Sequence, residues 1–168
     1  MHNSSLLDEA YDLCEEGEYT LALEYYDLVL YEEPNNVTAL INKGVTLQNL
    51  GKNRQAIKCY DAALKLEDDN IDALVNKGAA FHTLGKYHEA IDCYDKALKA
   101  QPKYAVAMAY KGLSLGELGH LKEAIKCFNA SLRIDKKYNI ALENKTIALE
   151  LLKENTRLKP KLHKSDKK

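Results

Sequence analysis

Four glycines, Gly17, Gly51, Gly85 and Gly119, stand 34 residues apart, and this spacing constrains the fold more than any other feature of the chain. The same interval separates Ala22, Ala56, Ala90 and Ala124, and also the aromatic positions Tyr26, Tyr60, Tyr94 and Phe128. A fixed internal period of this size belongs to a solenoid, in which each unit buries its apolar face only against its neighbours. Residues 71–104 show what one unit contains. They read as two short amphipathic helices. The first ends at Leu84-Gly85, where glycine can take the left-handed conformation that stops a helix. The second runs from Tyr87 to Ala100, and Pro102 follows it as a stop.

The other copies read the same way. Asn3-Ser4-Ser5 supplies N-cap chemistry for a first helix over about residues 5–15, and a second follows near residues 19–32. Asn35-Asn36 and Asp69-Asn70 turn the chain before the next helices. Gly44, Gly78 and Gly112 fall inside first helices, where glycine costs about 1 kcal/mol relative to alanine. That cost suits a site where a neighbouring helix comes close, and the small residues Ala56, Ala90 and Ala124 are expected to face it. Leu40, Leu64, Leu74, Leu98, Met108 and Leu132 are expected in the core.

The chain resembles the tetratricopeptide repeat family. Within residues 71–104 the family's pattern falls on Leu74, Lys77, Gly78, Phe81, Ala90, Tyr94, Ala97 and Pro102. Leu74 stands where the family often has Trp, and Lys77 where it often has Leu. Asp68 and Lys136 replace the proline in two copies, and Ala10 replaces the small glycine in the first. The resemblance implies an all-α, right-handed superhelical solenoid of antiparallel helix pairs. Its repeats would be 3–36, 37–70, 71–104 and 105–138, with a closing helix at 139–153 and a basic, flexible tail at 154–168. The closing helix carries Thr146 where the repeats have glycine, and its Glu143, Lys145, Glu150 and Lys153 suit a polar outer face.

Composition excludes several classes. No run of apolar residues is long enough to span a membrane, and the N-terminus lacks the basic and apolar regions of a secretory signal. Cys59, Cys93 and Cys127 also follow the period, too far apart for disulfides and without zinc-site spacing. They read as small buried or half-buried thiols, which fits a reducing, cytoplasmic compartment. The histidines lack metal spacing, and no phosphate loop, nucleophile elbow or paired-acid pocket appears, so no enzyme, metal or cofactor is expected. The formal net charge of −1 conceals an asymmetry: residues 3–36 hold ten acids and no Lys or Arg, while residues 139–168 hold eight bases and four acids. The basic tail lacks interleaved aromatics, so nucleic acid is not expected as a partner.

By resemblance, the first helices line a concave groove that binds segments of other proteins. Carried over by phase, the peptide-binding residues are Leu7, Tyr11, Ile41, Asn42, Val45, Asn49, Val75, Asn76, Ala79, His82, Tyr110 and Leu113. Asn42 and Asn76 offer both donors and acceptors to a peptide backbone. The family's best-known ligand is an acidic C-terminus held by a clamp of cations. The clamp's basic positions fall here on Leu7, Asp72 and Asn76, or on Ile41, Val106 and Tyr110, and none is basic. The expectation is therefore a non-catalytic scaffold or adaptor for an apolar rather than an acidic peptide. Two alternatives stand beside it: a self-assembling structural protein, acidic first repeat to basic end, and a regulatory fragment of a larger protein.

Overall fold

The computed structural model describes the backbone of residues 2–162 and the side chains of residues 6–157. In chain order the helices are α1 (His2–Glu15), α2 (Tyr19–Glu32), α3 (Val37–Asn49), α4 (Asn53–Leu66), α5 (Ile71–Thr83), α6 (Tyr87–Ala100), α7 (Ala105–Glu117), α8 (Leu121–Ile134) and α9 (Asn139–Leu162). No strand occurs among the described residues. The protein is all-α, built from consecutive helix pairs, as the period requires. The chain divides into two compact units, residues 1–100 and 101–168, so the expected single repeat domain of 3–153 is shared between them. In the first unit α1 packs on α2, α3 on α4 and α5 on α6, while α2 also meets α3 and α4 meets α5. In the second unit α7 packs on α8, and α9 packs on both.

Local chemistry sets the helix ends. Gly51 has φ +73°, and the chain there closes the double hydrogen bond of a Schellman stop: Lys52 N–H donates to the Leu47 carbonyl and Gly51 N–H to that of Gln48, both at 2.8 Å. Gly17, Gly85 and Gly119 share this left-handed conformation. At the other end, the Asn36 side-chain oxygen accepts from Ala39 N–H at 2.9 Å, and Asn70 accepts from Ala73 N–H at 3.0 Å. Each asparagine also donates through Nδ2 to the preceding glutamate, Glu33 or Glu67, which fixes the cap's orientation.

The core of each pair is built on one aromatic side chain. Tyr26, Tyr60, Tyr94 and Phe128 are fully buried, with Ala22, Ala56, Ala90 and Ala124 buried beside them in sequence. The mid-helix glycines meet these rings and not the alanines the sequence suggested. A Cβ on Gly44 would lie 2.5 Å from Tyr60 Cε1, one on Gly78 2.5 Å from Tyr94 Cε1, and one on Gly112 2.6 Å from Phe128 Cε1. The glycine therefore makes room for a ring lying flat on the helix backbone. Buried Ser131, at the place of Ala63 and Ala97, donates its hydroxyl to the Ala105 carbonyl at 2.9 Å. The four cysteines are free thiols; Cys93 is buried and the others are half-buried.

The last helix departs from expectation. α9 continues past residue 153 to Leu162: Glu154, Asn155, Thr156 and Arg157 contain no helix breaker, and Pro160 falls only in its last turn. Residues 163–168 of the basic tail lie outside the described residues. The outer surface of α9 is not simply polar either, because Leu142, Ile147, Leu149 and Leu151 are exposed on it. No helix of the described residues is long and apolar enough to cross a membrane.

Candidate functional site

In the first unit, α1 and α3 together with Tyr26 of α2 shape a recess of about 210 Å³. Its lining includes four of the residues selected by phase: Tyr11, Asn42, Val45 and Asn49. Tyr11 is exposed at the rim, and Asn42 and Val45 are half-exposed along one face of α3. Cys14, Glu15, Tyr19, Tyr26 and Thr46 complete the wall. Among the described residues no Lys or Arg lines the recess, and Glu15 is the one carboxylate that does. The lining can offer an apolar side chain a place to sit and a peptide backbone two amides.

A buried polar relay forms the back of this recess. Thr46 donates its hydroxyl to the Asn42 carbonyl at 2.9 Å, so Cys14 Sγ, 3.2 Å from Thr46 Oγ1, is placed to donate to that oxygen. The Tyr26 hydroxyl lies 3.9 Å from the same sulfur. Burial, and then the neighbouring Cys14 thiol, push the Tyr26 phenol well above its ordinary pKa of 10.0, so it is neutral and keeps its proton. In the next pair the Tyr60 hydroxyl donates to Gln48 Oε1, and burial raises that phenol too. Tyr26 and Tyr60 thus each have a partner on their own pair's first helix, twelve positions earlier.

The other phase-selected residues fall elsewhere. Leu7 is half-buried against the cluster of Ala10, Leu13, Ala22 and Tyr26. Ile41 and Val75 are only 9% and 5% exposed, so they belong to the core and cannot serve as an apolar floor. Ile41 belongs to a cluster with residues of α3, α4 and α5, a packing that the phase of a single helix does not reveal. Asn76, Ala79 and His82 are half-exposed on α5 and do not line the recess; the His82 ring lies edge-on to Tyr87 at 5.2 Å.

Tyr110 and Leu113 belong to the second unit. There Tyr138, pushed up to about 12 by burial and then by Tyr110, accompanies Tyr110. Leu113 lines a different recess of about 240 Å³ with Gly112, Gly116, Phe128, Asn144, Ile147 and Leu151. This recess exists because the polar pair of the earlier repeats is missing: Phe128 has no hydroxyl, and Gly116 stands where Cys14, Gln48 and His82 stand. The substitution of both partners together was visible in the sequence, but its meaning depended on knowing that they touch.

Three tetratricopeptide repeat family models match the chain, over residues 71–104, 49–85 and 107–138. The chain belongs to the tetratricopeptide repeat family. A comparison with curated proteins gives no match. Among solved structures, this tetratricopeptide repeat chain is similar to a MamA protein, at 24% identity and a TM-score of 0.78, over 88% of this chain and 81% of that one. It is similar to a tetratricopeptide repeat protein from Parabacteroides merdae, at 26% identity and a TM-score of 0.78, over 91% of this chain and 60% of that one. It is also similar to the first such domain of Spaghetti (RPAP3) bound to the HSP90 peptide SRMEEVD, at 23% identity and a TM-score of 0.67, over 69% of this chain and 92% of that one. Family and fold together make the chain a protein–protein interaction scaffold.

Proposed function

We propose that the chain docks a segment of a partner protein in the recess between α1 and α3, with no catalytic step. The observation that carries this reading is the convergence of Tyr11, Asn42, Val45 and Asn49 on one concavity with an apolar and amide lining. An apolar partner side chain would pack on Val45 and the Tyr11 ring. Asn42 and Asn49 would hydrogen-bond the partner's backbone, each amide supplying donors and an acceptor.

The neighbouring Spaghetti domain is bound to a peptide ending in two glutamates, valine and aspartate. Among the described residues the recess has Glu15 and no cation, so an acidic terminus would lose its water there without gaining an ion pair. The reading therefore favours a peptide with apolar side chains and no terminal acid cluster.

Selection from a displayed peptide library on the intact chain tests this. Peptides so selected should lose binding by about tenfold or more on Val45→Glu, and on Asn42→Ala combined with Asn49→Ala. Equal binding to the folded variants would reject the recess. Val75→Glu is unsuitable as a groove variant, because that side chain is buried.

A further inference from the structure

The second helices of the pairs do not all present the same outer face. On α2, Leu21 and Leu28 are 42% and 53% exposed. At the same places the later second helices carry Gln55 and Ala62, Glu89 and Lys96, Glu123 and Ala130. Two leucines seven apart lie on one side of a helix, and here they are flanked by exposed Glu18 and Glu24. α2 thus carries an acidic-edged apolar stripe.

α9 presents the matching stripe. Leu142 and Leu149, also seven apart, are 43% and 37% exposed. They stand one period after Met108 and Leu115, of which Leu115 is buried. Lys145 and Lys153 lie nearest this stripe, while exposed Glu143 and Glu150 stand about 100° further round the helix. Lys43 and Lys77, at the place of Lys145, are paired with Asp27 and Asp61, the second at 2.6 Å. Sixteen positions before Lys145, where Lys43 and Lys77 have Asp27 and Asp61, the sequence has Asn129 in place of an aspartate.

We propose that α2 of one copy of this chain docks antiparallel on α9 of a second copy. In that register Leu21 lies against Leu149 and Leu28 against Leu142. Glu24 then falls beside Lys145 and Glu18 beside Lys153, one carboxylate for each ammonium. A parallel register would set the charges on opposite edges of the seam. The contact is heterologous, so each pair of copies leaves one α2 and one α9 unoccupied, and assembly continues unless a ring closes.

Sedimentation of the full chain tests the contact, up to a protein concentration on the order of 0.5 mM. The expected result is a mass that rises with concentration and falls as salt goes from about 0.05 M to about 0.5 M. Glu18→Lys with Glu24→Lys puts like charges across the seam, as does Lys145→Glu with Lys153→Glu. Each double variant alone should associate at least about tenfold more weakly. Mixed together, the two variants are complementary again and should recover association. Because Lys145 is half-buried, Glu18→Lys and Lys153→Glu, both at exposed positions, provide a second mixing pair. A monomer at every concentration would overturn the proposal. So would association that survives both reversals, or folded reversals that fail to restore each other on mixing.

Discussion

At Gly78 a single methyl group decides between two opposed effects. Alanine there would gain about 1 kcal/mol of helix propensity. Its Cβ would lie 2.5 Å from the Tyr94 ring, which is fully buried and has nowhere to retreat. Overpacking of this kind costs about 1–3 kcal/mol, so Gly78→Ala should lower stability on balance, read as an earlier urea midpoint. Gly116 provides the contrast, since a Cβ there meets nothing within 4 Å. Gly116→Ala should raise stability by about 0.5–1 kcal/mol in the same experiment. The sequence showed Gly78 at a repeating glycine position and Gly116 as a lone glycine at the place of Cys14, Gln48 and His82, but only their neighbours say which of them can take a methyl group. Legible in advance was the need for a close approach; illegible was that the approaching group is a ring. Tyr60→Phe should cost about 1 kcal/mol, because Gln48 loses the donor to its Oε1.

Among the elements, the helix ends from α2 to α8 were the most readable part of the molecule, whereas α1 begins at His2, ahead of the expected cap at Asn3-Ser4-Ser5, and α9 outruns its expected end. A glycine free to adopt positive φ and an asparagine able to accept from an N–H three residues on act locally, so no tertiary knowledge was needed. Asn70→Ala removes the cap of α5 and frees Glu67 from its Nδ2 partner. A loss of about 1 kcal/mol is expected, seen as a lower thermal midpoint by circular dichroism. Helix faces were less readable. The phase that chose Ile41 and Val75 gave an angle around the helix, whereas burial depends on how the neighbouring helices pack over it. The same limit applies to α9, whose charges were seen in sequence while exposed Leu142 and Leu149 between them were not recognised as a face. Within the candidate site, Tyr11, Asn42, Val45 and Asn49 were found by phase. Thr46, Tyr19 and Tyr26 were missed, because they enter the recess as its back wall and edge.

For the molecule as a whole, the buried phenols and thiols set a limit at high pH. Tyr26, Tyr60 and Tyr138 all have pKa values raised above the ordinary 10.0, chiefly by burial, and Cys59 and Cys93 are raised above 9.0. Such groups keep their protons longer when folded than when unfolded. Their contribution to stability is therefore complete below the unfolded pKa values and is lost as pH climbs through about 9–10 and beyond. The guanidinium midpoint should hold level between about pH 7 and pH 8.5 and decline steadily above about pH 10. The proposed contact between copies would respond to salt instead, since screening weakens attraction between exposed charges. One further property comes from the thiols. Cys59, Cys93 and Cys127 occupy one position in successive repeats, and Cys93 is the buried member. A thiol-specific reagent reaches buried Cys93 only when its surroundings open, whereas half-buried Cys59 and Cys127 are partly accessible in the folded chain. Cys93 is thus a native chronometer, and mass-resolved labelling over time would reveal how often its repeat breathes, with no engineered probe.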